Sequence, residues 1–157
     1  MSEASRSDGA THAPVIGDAP VSGRGPGRIL VAVYALLALA ATGRSVLQIL
    51  EYFHRAPLAY VLSAVAAVIY LVATVALARG DRTSVRVATV ACSIELVGVL
   101  TVGLASYLSP SDFPDKTVWS HFGSGYGYVP LVLPVLGLLW LRRVRRAAAA
   151  TLGTPLP

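Results

Sequence analysis

Charged residues are scarce in this 157-residue chain, in which Asp, Glu, Lys and Arg make up only 13% of the positions. Hydrophobic residues make up 55%, and the mean hydropathy is +0.65. Soluble domains are about one quarter charged, and disordered chains contain too little apolar surface to need burial. The composition therefore excludes an ordinary soluble domain and a chain that is disordered throughout. It predicts one small integral membrane domain.

Cysteine is limited to Cys92, which lies inside an apolar run. A single cysteine can form neither an intramolecular disulfide nor a thiolate metal site, so we interpret Cys92 as a small buried hydrophobe. The signatures of zinc proteases, serine hydrolases and phosphate-binding loops are missing as well. The sequence thus indicates no catalytic residue, no metal site and no cofactor.

Lysine is represented by Lys116 alone, so the net charge of +5 comes from arginine. No basic patch carries interleaved aromatic residues, and we therefore expect no nucleic-acid partner. The arginines flank apolar runs, which is typical of membrane proteins.

The apolar runs divide the chain into a tail, a membrane domain and a second tail. Residues 1–27 are rich in Ser, Gly, Pro and Ala, and we predict a disordered cytoplasmic tail. Residues 28–146 predict an all-α bundle of four transmembrane helices, and 147–157 a short C-terminal tail. The predicted spans are about 29–50, 58–78, 87–108 and 126–141.

Local signals support two of these boundaries. Pro57 stands at a favoured helix-start position before the second span, and Thr83 or Ser84 is available to cap the third. The connection 109–126 is the only sizeable loop, and Gly123 is one of three glycines that weaken any helix there.

Basic residues near the span ends predict the orientation. One set of ends collects Arg24, Arg28, Arg79, Arg82, Arg86, Arg142, Arg143, Arg145 and Arg146, whereas the other has only Arg55 and Lys116. The positive-inside rule then predicts that both termini lie in the cytoplasm. The many arginines, alanines, valines and glycines suggest a GC-rich bacterial genome, so we expect a bacterial plasma membrane. Aromatic residues gather toward the opposite ends, as in an interfacial belt: Tyr52, Phe53, Tyr60, Tyr107, Trp119, Tyr126 and Tyr128. A competing interpretation of the first span is a signal peptide cleaved after 38–40.

Ionisable residues inside the spans are the best functional leads. Glu95 lies within the third span, and Arg44 within the first, one turn before Gln48. A charge at the centre of a span costs about 2.5–3.5 kcal/mol, and such residues usually face the bundle interior. We expect Arg44 to pair with Glu95, either as a structural bond or as a proton- or ion-coupling site. Hydroxyls could reach the same interior from the second span, where Ser63 and Tyr70 share a face.

Two further sets of charges are expected at the membrane surfaces. Glu51 and Arg55 have the spacing of an interfacial ion pair on one helix. The arginines after the fourth span predict a cytoplasmic anchor on anionic lipid: Arg142, Arg143, Arg145 and Arg146. In the long loop, Asp112, Asp115 and His121 lack a recognised metal-binding spacing and are interpreted as solvated.

Two parts of the sequence carry a resemblance. The first comprises residues 44–51 (RSVLQILE) and 56–60 (APLAY), and the second 113–119 (FPDKTVW) and 125–134 (GYGYVPLVLP). They resemble small, uncharacterised four-helix integral membrane proteins of actinobacteria, over most of residues 28–146. The resemblance implies a membrane location and a four-helix fold, and it implies no activity, cofactor or site residue.

Three functions remain open at this point. The leading hypothesis is a non-enzymatic structural or accessory subunit. The second is a homo-oligomeric small-solute or proton transporter that uses Glu95 and Arg44. The third is a membrane enzyme acting from the loop 109–126. Whatever the function, the expected partners are the lipid bilayer and either another membrane protein or further copies of the chain.

Overall fold

The computed structural model describes residues 25–152, which form helices and turns with no strand among them. The long helices are α1 (Pro26–Tyr52), α2 (Pro57–Arg79), α3 (Arg82–Leu108) and α4 (Val129–Leu152). The first three are each long and apolar enough to cross a membrane. Helix α4 meets the same criterion together with the short helix Ser120–Tyr126, from which it is bent by 97°. The all-α prediction is confirmed for these residues, with three helices that could span a membrane, or four if the bent pair is one span.

Helix α1 begins earlier than predicted. Pro26 occupies its first turn, where the missing amide hydrogen costs nothing, so the helix overlaps the last two residues of the predicted tail 1–27. The rest of the predicted tail, residues 1–24, lies outside the described part of the chain, as do residues 153–157.

Helices α2 and α3 are joined by only two residues. Pro57 begins α2, as predicted. Gly80 ends α2 in the left-handed conformation, with φ of 67°, and donates its amide hydrogen to the Ala76 carbonyl. Asp81 then caps α3, because its carboxylate accepts the amide hydrogens of Thr83 and Ser84. The prediction that Thr83 or Ser84 is the cap was wrong, since both lie inside the first turn of a helix that begins at Arg82.

Helix α4 is displaced from the predicted span 126–141. It begins at Val129, after the bend, and continues to Leu152. The predicted C-terminal tail from residue 147 is therefore helical at its start. Arg142, Arg143, Arg145 and Arg146 are exposed on this extension. Alanine follows them in the sequence and favours continuation of the helix.

Two ends of the bundle differ in composition. The loop end carries the α1–α2 turn and the long α3–α4 connection. The arginine end is the opposite end, where the exposed arginines of α2, α3 and α4 lie. Between them the helices pack through small residues that bring the backbones close together. Five buried alanines contribute, each with no exposed surface: Ala41, Ala59, Ala66, Ala73 and Ala88. Large apolar side chains point outward instead, as a lipid-facing surface requires.

The Asp81 cap should make stability depend on pH. Hydrogen bonds from the hydroxyl and the amide of Ser84 hold the pKa of Asp81 below its usual value of about 3.9. Because the pKa is lower in the folded state, the ionised carboxylate stabilises the fold above pH 4, and this contribution is lost as the pH falls through the lowered pKa. We expect Asp81→Ala to lower the thermal midpoint at pH 7, and the deficit to shrink below pH 4. The exposed Asp112 offers a matched control, and an Asp112→Ala variant with the same pH-dependent deficit would contradict the assignment.

Candidate functional site

Glu95 is the middle residue of the 27-residue helix α3. It lies about 20 Å along the axis from either end of the helix. Its side chain has no exposed surface, so no water-sized space adjoins it. The carboxyl group is therefore enclosed by protein near the middle of a helix long and apolar enough to cross a membrane.

Tyr34 on α1 is the hydrogen-bond partner of Glu95. Its hydroxyl donates to Glu95 Oε2 across 2.7 Å, and lies 3.3 Å from the sulfur of Cys92, one turn before Glu95 on α3. Helix α4 comes close at Gly137, where an added Cβ would lie 3.1 Å from the Cys92 sulfur. The second carboxyl oxygen, Glu95 Oε1, has no hydrogen-bond partner in the described part of the chain. The carboxyl group is thus only half satisfied.

A second polar pair lies beside the first. The indole nitrogen of Trp119 donates to the hydroxyl of Tyr70 on α2 across 3.0 Å. The rings of Tyr70 and Tyr34 are 6.3 Å apart, so the two pairs are neighbours in the core. Together Glu95, Tyr34, Cys92, Tyr70 and Trp119 form what we call the polar core.

Trp119 reaches the polar core from the connection between α3 and α4. Its ring rests on Gly98, where an added Cβ would lie 2.7 Å from the ring, and Phe122 rests on Gly103 in the same manner, at 2.4 Å. Gly98 lies about 15 Å below the loop end of α3, and one turn from Glu95. Residues 117–123 therefore enter the bundle as a plug, and their two rings sit where α3 has no side chain.

Hydrogen bonds within the plug satisfy its buried backbone. The Thr117 hydroxyl accepts the amide hydrogens of Trp119 and Ser120, and the Ser120 hydroxyl accepts the amide hydrogen of Thr117. The Ser106 hydroxyl on α3 accepts the amide hydrogen of His121. Unpaired amides at this depth would each cost several kcal/mol, so these hydroxyls allow a non-helical segment to lie inside the bundle.

The plug contains a left-handed turn. His121, Phe122 and Gly123 have φ of 53°, 58° and 79°. A residue with a side chain loses about 1–2 kcal/mol in this conformation. Gly123 avoids that cost, and it also makes room for Pro130, whose ring would lie 2.9 Å from an added Cβ. The strain at the other two positions indicates that the buried contacts of the plug determine its shape.

Polar side chains of α1 and α2 hold the loop over the plug. Arg44 donates from Nη2 to the Lys116 carbonyl at 2.7 Å, and from Nε to Gln48 Oε1 at 3.3 Å. Asp115 accepts a hydrogen bond from the Tyr60 hydroxyl and lies 3.3 Å from Arg55 Nε. The loop is thereby tied to the α1–α2 hairpin at two adjacent residues.

The expected Arg44–Glu95 pair was wrong. Arg44 and Gln48 do share a face of α1, but the guanidinium extends toward the loop end, where a backbone carbonyl and an amide oxygen are available near the membrane surface. Long arginine side chains commonly extend in this way toward polar surroundings. Glu95 is partnered instead by Tyr34, which lies on the part of α1 nearer the arginine end.

The expected Glu51–Arg55 pair was wrong as well. Spacing of four residues brings side chains together only on a continuous helix, and α1 ends at Tyr52. Arg55 lies in the following turn and pairs with Asp115, while Glu51 is exposed. Trp119 and Tyr60 were assigned to an aromatic belt, but both are buried in the protein.

Sequence reasoning missed two of the five residues of the polar core. It identified Glu95 and the buried face of Ser63 and Tyr70, but not the partner Tyr34 or the inward position of Trp119. One signal was present for Tyr34, the only hydroxylated ring in an apolar first span. Within residues 25–152, no group of three metal-ligand side chains comes together.

Comparison with known proteins gives no family for this chain. No family model, no curated protein and no solved structure matches it. The chemistry of the site must therefore be read from its geometry. A half-satisfied carboxyl group, two tyrosine hydroxyls and a thiol, closed off from water, can bond helices together and can hold a proton.

Removing the Tyr34 hydroxyl should destabilise the bundle. Tyr34→Phe leaves Glu95 with no donor among the described residues, and we expect a loss of about 1–3 kcal/mol in unfolding free energy. Thermal or denaturant unfolding in detergent micelles measures it. Tyr107→Phe is the control, because Tyr107 is exposed and keeps its ring contacts. Equal losses of unfolding free energy in Tyr34→Phe and Tyr107→Phe would show that the hydrogen bond between Tyr34 and Glu95 does not stabilise the bundle.

The packing of the Trp119 ring on Gly98 can be tested by substituting two glycines. Gly98→Ala places a methyl group against the indole ring, so we expect a loss of about 1–3 kcal/mol and a changed tryptophan emission. Gly43 on α1 has open space around it, and Gly43→Ala should stabilise the helix by about 0.5–1 kcal/mol. A Gly98→Ala variant that gains stability as Gly43→Ala does would show that the Trp119 ring does not pack on Gly98.

Proposed function

We propose that this protein is a non-enzymatic structural or accessory subunit of a bacterial plasma membrane. In this proposal it crosses the bilayer four times, with α4 as the fourth span and both termini in the cytoplasm. The resemblance to actinobacterial four-helix membrane proteins and the arginine bias support this arrangement. The arginines on the end of α4 would rest on anionic headgroups.

The closed interior is the observation that carries the proposal. Tyr34, Tyr70, Cys92 and Glu95 have no exposed surface, and Trp119 fills the space toward the loop end. Substrate sites are concave and lined by a few polar groups that face the ligand, whereas the polar groups of this core form hydrogen bonds with one another. A bundle with a sealed core and an apolar exterior is suited to contacts with other membrane proteins.

A homo-oligomeric small-solute or proton transporter is the alternative. The unpartnered Glu95 Oε1 favours it, because an ionisable group in a span commonly marks an ion or proton pathway. The separation of Arg44 from Glu95 counts against the version that uses both residues. Proteoliposomes distinguish the candidates, since Glu95→Gln should abolish flux in a transporter without lowering the yield of folded protein.

Orientation and partners can be tested in the native membrane. Reporters fused to the C-terminus and inserted between Gly80 and Asp81 should report the cytoplasm, and one inserted after Asp112 should report the opposite side. A C-terminally tagged chain extracted in mild detergent should then retain another membrane protein in fixed proportion. A clean homo-oligomer without a second protein would contradict the accessory role, and opposite reporter results would contradict the topology.

A further inference from the structure

We propose that Glu95 is a proton-binding site, occupied at neutral pH, and that Trp119 closes this site from the loop end. This inference goes beyond the accessory role and does not depend on it. It rests on three features of the polar core: the absence of a cation, the unpartnered carboxyl oxygen and the position of the plug.

Among residues 25–152, no cation faces Glu95 from any helix packed against it. The neighbouring groups are Tyr34 from α1, Tyr70 from α2 and Cys92 from α3 itself, and α4 approaches Cys92 at Gly137. The ion pair found within residues 25–152 joins Arg55 to Asp115 at the loop end. An unpaired carboxylate in apolar surroundings is far more costly than the neutral acid, so the enclosure favours a bound proton.

Hydrogen bonding places the proton on one oxygen. Oε2 accepts from the Tyr34 hydroxyl, as the carbonyl oxygen of a carboxylic acid does. Oε1 has no partner, and a hydroxyl group without a partner costs less there than a charged oxygen without one. The Tyr34 hydroxyl can in turn accept from the Cys92 thiol at 3.3 Å, which completes a chain of neutral groups.

The plug is the side from which this proton can be exchanged. Toward the arginine end, Glu95 is enclosed by continuous helices whose backbone bonds are fixed. Toward the loop end, the next turn of α3 is Gly98, and it is covered by Trp119 rather than by a helix. Irregular backbone at membrane depth occurs where it lines a cavity or is buried in protein. Withdrawal of the ring would leave a groove over Gly98 that leads to Glu95.

Infrared spectroscopy of the full chain in lipid nanodiscs tests the bound proton. A difference spectrum between the wild type and Glu95→Gln at pH 7 should contain the carbonyl stretch of one protonated carboxylic acid. Absence of this band would show that Glu95 is ionised and would overturn the proposal. Loss of the band on addition of sodium or lithium chloride, but not of choline chloride, would show that the site binds a metal cation. This result would also overturn the proposal.

Exchange into deuterium oxide tests the closure by Trp119. The carbonyl band should shift slowly in the wild type and at least about tenfold faster in Trp119→Ala, because local opening then exposes Glu95 more often. Trp119→Phe takes the place of the alanine variant if that variant does not fold. It keeps part of the ring, removes the bond to Tyr70, and should give an exchange rate between those expected for the wild type and Trp119→Ala. Trp140→Ala is the matched control, since Trp140 rests on Gly27 near the arginine end.

The outcomes of the exchange experiment separate the two parts of the proposal from a general loosening of the bundle. Faster exchange in the Trp119 variants alone supports closure by the plug. Equal acceleration by Trp140→Ala, or no acceleration by either Trp119 variant, would overturn it. Co-purification of partners reports on the accessory role independently, so failure of one proposal is distinguishable from failure of the other.

Discussion

The burial of a carboxyl group at the middle of a membrane-length helix is the constraint on which the rest of this bundle depends. Glu95 can lie there only if other helices shield it from lipid and at least one of them supplies a donor. Helix α1 supplies the Tyr34 hydroxyl, α2 places Tyr70 alongside, and α4 approaches closely at Gly137. A polar group at this depth therefore specifies which faces of the helices meet, in a medium where apolar contacts alone discriminate poorly.

The same constraint accounts for the plug. Four helices of this length leave space beside Glu95 on the loop side, where α3 carries Gly98 and Gly103 instead of large residues. Trp119 and Phe122 occupy that space, and serine and threonine hydroxyls satisfy the backbone that carries them there. Arg44 on α1, Tyr60 on α2 and Arg55 in the turn between them then hold the loop. The polar residues of the loop end thus hold in place the plug that covers the carboxyl group.

Much of the architecture could be predicted from the sequence because it depends on local patterns. Apolar length predicts the helices, and Pro57 predicts the start of α2. The side-chain partners could not be predicted in the same way. Arg55 has the spacing of a helix neighbour of Glu51, but the helix ends before it. Thr83 and Ser84 are typical capping residues, but Asp81 lies before them and accepts both of their amide hydrogens.

The polar core was hidden for a related reason. Whether Tyr34 or Arg44 reaches Glu95 depends on helix register and on where each long side chain finds a closer partner. Trp119 resembles a residue of an interfacial belt until the chain around it turns inward. That turn requires the small side chains on α3, which lie far from Trp119 in the sequence. Separations of this kind leave no local pattern to read.

A double-mutant cycle on Tyr34 and Glu95 tests the central claim most directly. The unfolding free energies of the wild type, Tyr34→Phe, Glu95→Leu, which removes the acceptor, and the double variant would be compared in the same micelles. Contact between the two side chains predicts a coupling energy of about 0.5–3 kcal/mol. Additive effects, with no coupling beyond measurement error, would show that the bundle does not depend on this bond and would contradict the account.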